Sequence, residues 1–185
     1  MNDVGDLLAI DPSIRSPGVA LFRAGKLVVA ARVTFPIDAT QNDAERCLAA
    51  ADAIAGWANQ MGARPDAIAF EWPQVYAREK SKGDPNQLIP MAGVDLALAT
   101  GFTIAAAMRK SRLRVLCYKP ADWIGQLPKA TRGSAKSSPR AQRILSRLDA
   151  AEVAALPDQH DAIDAVGIGL HALGRLGVRR SLSAG

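Results

Sequence analysis

Two hydrophobic periods alternate along this chain. Residues 7–11 (LLAID) are a short apolar run stopped by Asp11-Pro12, and residues 18–24 (GVALFRA) and 27–35 (LVVAARVTF) are β-rich segments separated by a Gly-Lys turn. Together they predict three strands in a meander. From Asp43 to about Met61 the apolar residues Leu48, Ala51, Ile54, Ala55 and Ala58 recur at three- and four-residue spacing. That is the pattern of an amphipathic helix, with Asp43 as its N-cap and Gly62 as its stop. Residues 66–71 (DAIAFE) then predict a fourth strand, which like the first delivers an acid at its C-terminal end.

Residues 72–86 carry two prolines, two aromatics and mixed charges and read as a loop. An Ala- and Gly-rich apolar helix is expected over about 87–110. Its scarcity of polar positions implies cover on both sides, from the sheet and from a partner subunit. A fifth strand follows at 112–119, a short helix begun by Pro120 runs over 120–126, and 128–139 is a polar loop. Helices from about Pro139 and from Asp158 to Leu176 complete the pattern. The order β-β-β-α-β-α-β with later helices predicts an α/β fold: a five-stranded mixed sheet, three-strand meander then βα units, flanked by helices. With 185 residues the chain suits one core, read as a single domain over 1–178 with a frayed tail at 179–185.

Composition narrows the function classes. Apolar residues make up 49% and charged residues 22%, and no apolar run reaches the length of a membrane span. The acidic start MNDVGDLLAID is no signal peptide, so the cytoplasm is the expected compartment. Cys47 and Cys117 lie far apart with no metal-ligand spacing and are expected as buried thiols. Charge is uneven: residues 1–108 hold nine Lys+Arg and twelve Asp+Glu, whereas 109–185 hold fourteen and six. A basic second half favours an anionic partner, nucleic acid ahead of an acidic protein or a membrane surface.

Four acids stand out by position. Asp11 and Glu71 close apolar strands, where the carboxyl ends of strands border the ligand crevice of an open sheet. Asp161 and Asp164 are i and i+3 on the last helix, about 60° apart, so both can face one point. If that helix turns its acids toward the two strand ends, the four carboxylates converge. Such a cluster repels itself unless a cation compensates, and oxygen-only ligands select Mg²⁺ or Mn²⁺. A pair of ions suits in-line phosphodiester displacement. The plainer reading is that each acid merely ends its element.

These residues also carry a family resemblance. LLAIDPSIRSPGVALF, AIAFEWPQVY and HDAIDAVGIGL are similar to the three acidic motifs of RuvC-type Holliday junction resolvases, within the ribonuclease H-like nuclease superfamily. Ser13 stands where the family's first motif has glycine, and Gly18 keeps the later one. The resemblance implies Asp11, Glu71, Asp161 and Asp164 as catalytic metal ligands, with His160 as an additional neighbour. It implies two Mg²⁺ or Mn²⁺ ions, branched DNA as substrate, and a homodimer whose two sites cut two strands. The resemblance implies Tyr76 or Trp72 in place of the family's wedge aromatic, with core packing the alternative for both and the plainer one for Trp72, in a loop longer and richer in charge that also holds Arg78, Lys80 and Lys82.

A span without acids carries Lys129, Arg132, Lys136, Arg140, Arg143 and Arg147. The last three repeat at three and four, a basic helical face expected to hold phosphates. A solvated face is the bland alternative. Asp95, inside the apolar second helix, is left for pairing across a dimer interface or with cations near Arg109. Competing activities are a nuclease on other DNA or RNA structures, a non-catalytic nucleic-acid-binding module of the same fold, or a small sugar- or acetate-kinase-like phosphotransferase. The last lacks a second lobe and a second Gly-rich phosphate loop.

Overall fold

The computed structural model describes residues 5–13, 15–36, 38, 40–71, 113–124 and 134–176. The loop at 72–86, the helix expected over 87–110, the tail at 179–185 and the residues Trp72, Tyr76, Arg78, Lys80, Lys82, Asp95, Lys129 and Arg132 lie outside these.

Five strands form one sheet: β1 (Asp6–Asp11), β2 (Gly18–Arg23), β3 (Lys26–Arg32), β4 (Pro65–Glu71) and β5 (Arg114–Tyr118), in the order β3-β2-β1-β4-β5. β1 to β3 pair antiparallel, and β4 and β5 add in parallel on the other side of β1. This is the predicted three-strand meander followed by two parallel strands. The β2–β3 hairpin closes on Ala24-Gly25, one residue earlier than the Gly-Lys turn expected. Both have positive φ, 49° and 76°, as a two-residue turn between twisted strands demands. β3 stops at Arg32, which pairs with Gly18, the first residue of β2, so there is no further strand to pair with.

Central strands buried on both faces read as continuous apolar runs, and alternation sorts their side chains. Leu8, Ile10, Val19, Leu21, Ile68 and Phe70 pack with Cys47, Ala50, Ile54 and Ala58 of α1 (Asp43–Gln60). Leu7, Ala9, Ala20, Phe22, Ala67 and Ala69 pack with α5 (His160–Ala172) and the short elements around it. The buried stripe of α1 therefore runs through 47, 50, 51, 54 and 58. Leu48, expected inside, is exposed because it sits one residue, about 100°, around from Cys47. Asn42 rather than Asp43 caps the helix, through a capping box with Glu45.

Among the described residues the remaining elements are α2 (Pro120–Trp123), a 3-10 turn (Ala135–Ser137), α3 (Pro139–Leu145) and α4 (Ala150–Ala154). They pack beside α5, which is buried almost all round from Ala162 to Leu170. Its glycines permit this approach: a Cβ on Gly169 would run into the Phe22 ring, and one on Gly167 would stand 2.5 Å from Trp123 Cζ3. α4 was not expected from the sequence. Its Glu152, 2% exposed, forms a capping box with Asp149 and accepts from the Leu27 backbone N–H at 2.8 Å and from Arg175 at 2.7 and 2.8 Å. Arg175 also donates to the carbonyls of Gly25 and Arg147. One ion pair, its carboxylate buried and its guanidinium half-buried, thus ties the β2–β3 hairpin, α4 and the chain after α5 together. Of the two thiols only Cys47 is buried; Cys117 is exposed on β5, the edge strand, where Leu116 and Tyr118 take the core-facing positions. No helix of the described residues is long and apolar enough to cross a membrane.

Candidate active site

Asp11 and Glu71 each follow the last core residue of a strand, and the sheet sets them side by side. Ile10 pairs with Phe70 in the parallel β1–β4 ladder, so the next residues, Asp11 and Glu71, stand side by side as the last residues of their strands. Ile10 and Phe70 face α1, and alternation therefore turns Asp11 and Glu71 toward α5. Across the antiparallel ladder Asp11 pairs with Gly18. The start of α5 is seated on that glycine, for a Cβ there would collide with the backbone carbonyl of Asp161. Strand ends and acidic helix meet at one end of the sheet.

The carboxylates of Glu71, Asp161 and Asp164 are engaged by the protein's own donors. Trp123, 2% exposed, donates its indole Nε1–H to Glu71 Oε2 at 2.9 Å. Asp161 lies 3.4 Å from Arg32 Nε, a pair open to solvent on both sides. Asp164 is buried, and Arg140 Nη1 donates to both its oxygens at 3.0 and 3.2 Å. The Arg140 guanidinium also lies over the Trp123 ring, 5.8 Å from its centroid. Glu71, Trp123, Arg140 and Asp164 are thereby joined in one chain of contacts. Among the described residues no three His, Cys, Asp or Glu side chains stand close enough together to hold a metal ion. In donor type alone the set suits a hard divalent cation, four carboxylates on three adjoining elements, while the buried one, Asp164, already has Arg140 as its counter-charge.

His160 is the half-buried first residue of α5, one position after its N-cap Gln159. Arg140 and Arg143 are both half-buried on α3, where Arg143 Nη1 donates to the Ile124 carbonyl at 3.4 Å. Arg147 lies beyond the end of α3, exposed in the following turn, so the three arginines do not form one continuous helical face. Lys136 sits in the 3-10 turn, held by backbone bonding to Asp158. Trp123 and Arg32 are the site residues that sequence reasoning missed. Trp123 had one signal, an aromatic ending the first turn after Pro120; Arg32 had none.

By sequence, neither a protein-family model nor a curated protein matches the chain. Its structure is similar to that of RuvC from Thermus thermophilus. A complex of that protein with a Holliday junction substrate matches at a TM-score of 0.58 and 22% identity, covering 94% of this chain and 96% of that one. A structure of Thermus thermophilus RuvC alone gives 0.55 and 18%, covering 91% and 94%. The yeast mitochondrial Holliday junction resolvase Ydc2 gives 0.54 and 11%, covering 94% and 79%. The class this defines is structural: a ribonuclease H-like fold, with a mixed five-stranded sheet and acids at the ends of β1 and β4. Within that class the chain has the architecture of the RuvC-type resolvases, over nearly its whole length.

Proposed function

We propose that the protein is a divalent-metal-dependent endonuclease that cuts branched DNA, with the Holliday junction as its substrate and a homodimer as its working form. One observation carries the proposal. Asp11 and Glu71 leave adjacent strands toward the helix that bears Asp161 and Asp164, in a fold shared over nearly its full length with a RuvC solved on a Holliday junction. A surviving fold alone does not require acids at these four positions.

On this reading Asp11, Glu71, Asp161 and Asp164 hold the Mg²⁺ or Mn²⁺ ions, with His160 beside them at the start of α5. When bound, such ions activate water and stabilise the leaving oxygen of an in-line phosphodiester displacement. The chain's own residues orient the carboxylates. Trp123 fixes Glu71 through one oxygen, and Gly18 sets how closely Asp161 approaches the strand ends. Lys136, Arg143 and Arg147, together with Lys129, Arg132, Arg78, Lys80 and Lys82, supply the cations for phosphate contacts. Tyr76 is the aromatic proposed to stack at the branch point.

The test is a substrate panel. Labelled four-way junction, duplex, flap and RNA–DNA hybrid are each incubated with the protein and Mg²⁺, Mn²⁺ or EDTA. Paired nicks in the junction alone, absent with EDTA, are expected. Cutting confined to the hybrid or the flap would replace the proposed substrate, and cutting in EDTA would remove the metal.

A further inference from the structure

Asp164 is a carboxylate whose negative charge is met inside the protein by a side chain placed there with some care. Ser138 caps α3, its hydroxyl accepting from the Ala141 N–H at 3.0 Å, and Pro139 opens the first turn. That start buries Ala141 and Ile144 and turns Arg140 toward α5. The Arg140 side chain is 12% exposed and that of Asp164 only 5%. The guanidinium is bounded on one side by the Trp123 ring, which reaches this position because Gly167 has no side chain to exclude it.

This arrangement limits a phosphate-binding role for Arg140, because Nη1 of its guanidinium is already bonded to both oxygens of Asp164. It also sits awkwardly with a divalent cation at Asp164, because Arg140 Nη1 contacts both carboxylate oxygens. A guanidinium and a divalent cation on the same two oxygens would repel one another at close range. Neither can simply be deleted: a buried carboxylate with no cation is the costliest of the three states.

We infer that Arg140 is the resident counter-ion of Asp164, holding the carboxylate while the site is empty of metal and giving way to the divalent cation when the site loads. The inference rests on the proposed role of Asp164 as a metal ligand. Its consequence is a built-in exchange of cations at one carboxylate. The metal-free site stays folded and neutralised, and metal affinity is lowered by the strength of the ion pair that must be released. A charge-assisted hydrogen bond of this kind corresponds to roughly a 10- to 100-fold factor in affinity. The released guanidinium remains beside the Trp123 ring, with planar donors suited to a phosphate oxygen.

The experiment measures Mn²⁺ binding by calorimetry, without DNA, for the wild-type chain and for Arg140→Gln, Asp11→Asn and Asp164→Asn. Melting temperatures are taken in EDTA and in saturating Mn²⁺. Arg140→Gln is expected to bind Mn²⁺ about 10- to 100-fold more tightly than wild type. It should melt below wild type in EDTA and recover most of that difference in Mn²⁺. Unchanged or weaker Mn²⁺ binding by Arg140→Gln, with binding lost in both aspartate variants, would overturn the role of Arg140 and leave the metal site standing. An equal loss of melting temperature in EDTA and in Mn²⁺ would make the ion pair purely structural and overturn the inference in the same way. Absence of Mn²⁺ binding in both wild type and Arg140→Gln would overturn the metal reading, and the inference with it. A titration that needs no variant covers the case in which Arg140→Gln does not fold. In the wild-type chain with nitrogen-labelled arginine, the Arg140 side-chain resonance must move as Mg²⁺ binds, and an Arg140 signal unmoved at saturation would overturn the exchange.

Discussion

Replacing Arg175 by Met removes the cation that holds Glu152, and the structure allows the cost to be worked out. Hydrogen bonding from Arg175 is the largest influence on that carboxyl; burial opposes it, and the backbone N–H groups of Asp149 and Leu27 add to it. Together they lower its pKa from the ordinary 4.5 to about 2. At about 1.4 kcal/mol per unit, this is about 3 kcal/mol of stability at neutral pH. Solvent screens little of it, since the Glu152 side chain is 3% exposed. Arg175→Met leaves the carboxylate buried with its backbone donors but no cation, a change expected to cost about 3–5 kcal/mol. Urea unfolding of wild type, Arg175→Met, Glu152→Gln and the double variant measures it. The double variant should lose less than the two single losses together, because no buried charge is then stranded. The pH dependence has a definite sign. A depressed folded-state pKa gives stability that is fully present above about 4.5 and is lost as pH falls toward about 2, so the gap between wild type and Arg175→Met should narrow across that window. A gap below about 1 kcal/mol at neutral pH, or one that stays constant as the solution is acidified, would refute the reasoning.

Gly18→Ala places a Cβ against the Asp161 carbonyl, and the backbone shift needed to relieve it should cost about 1–3 kcal/mol and suppress cleavage; a variant with wild-type melting temperature and activity would show that Gly18 does not seat α5. Trp123→Phe keeps an aromatic ring against Gly167 but removes the donor to Glu71, so cleavage should fall about tenfold with junction affinity unchanged, whereas full activity would detach Trp123 from the site. Lys136→Glu combined with Arg147→Glu should weaken junction and duplex binding alike and reduce the salt dependence by about one unit of slope per lost contact; an unchanged slope would assign both residues to the solvated surface.

Much of the fold was legible because the central strands are covered on both faces, so their apolar runs stand out without any need for alternation. Glu71 and Asp11 were legible for the same reason, as charges that abruptly end such runs. Two elements show where local signals stop. α4 is five residues long and hidden in an Ala-rich stretch, and its one clear mark, the Asp149–Glu152 capping box, is visible in the sequence only when sought. Leu48 reads as buried in the sequence because a helical stripe of small residues can be drawn through several neighbouring positions, and only the packing of Cys47 and Ala50 against β1 and β2 decides between them. Which side chains hold which acids was beyond local reading. Arg140 is 24 residues from Asp164, Trp123 is 52 from Glu71, and each pair meets only through the packing of α2 and α3 on α5.

Junction cleavage by wild type and Asp11→Asn, measured beside junction binding, tests the central claim most directly. Asp11 ends the central strand of the sheet, and its replacement by a neutral isostere removes a proposed metal ligand while leaving the basic residues in place. Wild type should nick the junction in Mg²⁺ and Mn²⁺ but not in EDTA, and Asp11→Asn should bind the junction with near wild-type affinity and leave it uncut. An Asp11→Asn protein that cuts the junction at the wild-type rate would contradict the account.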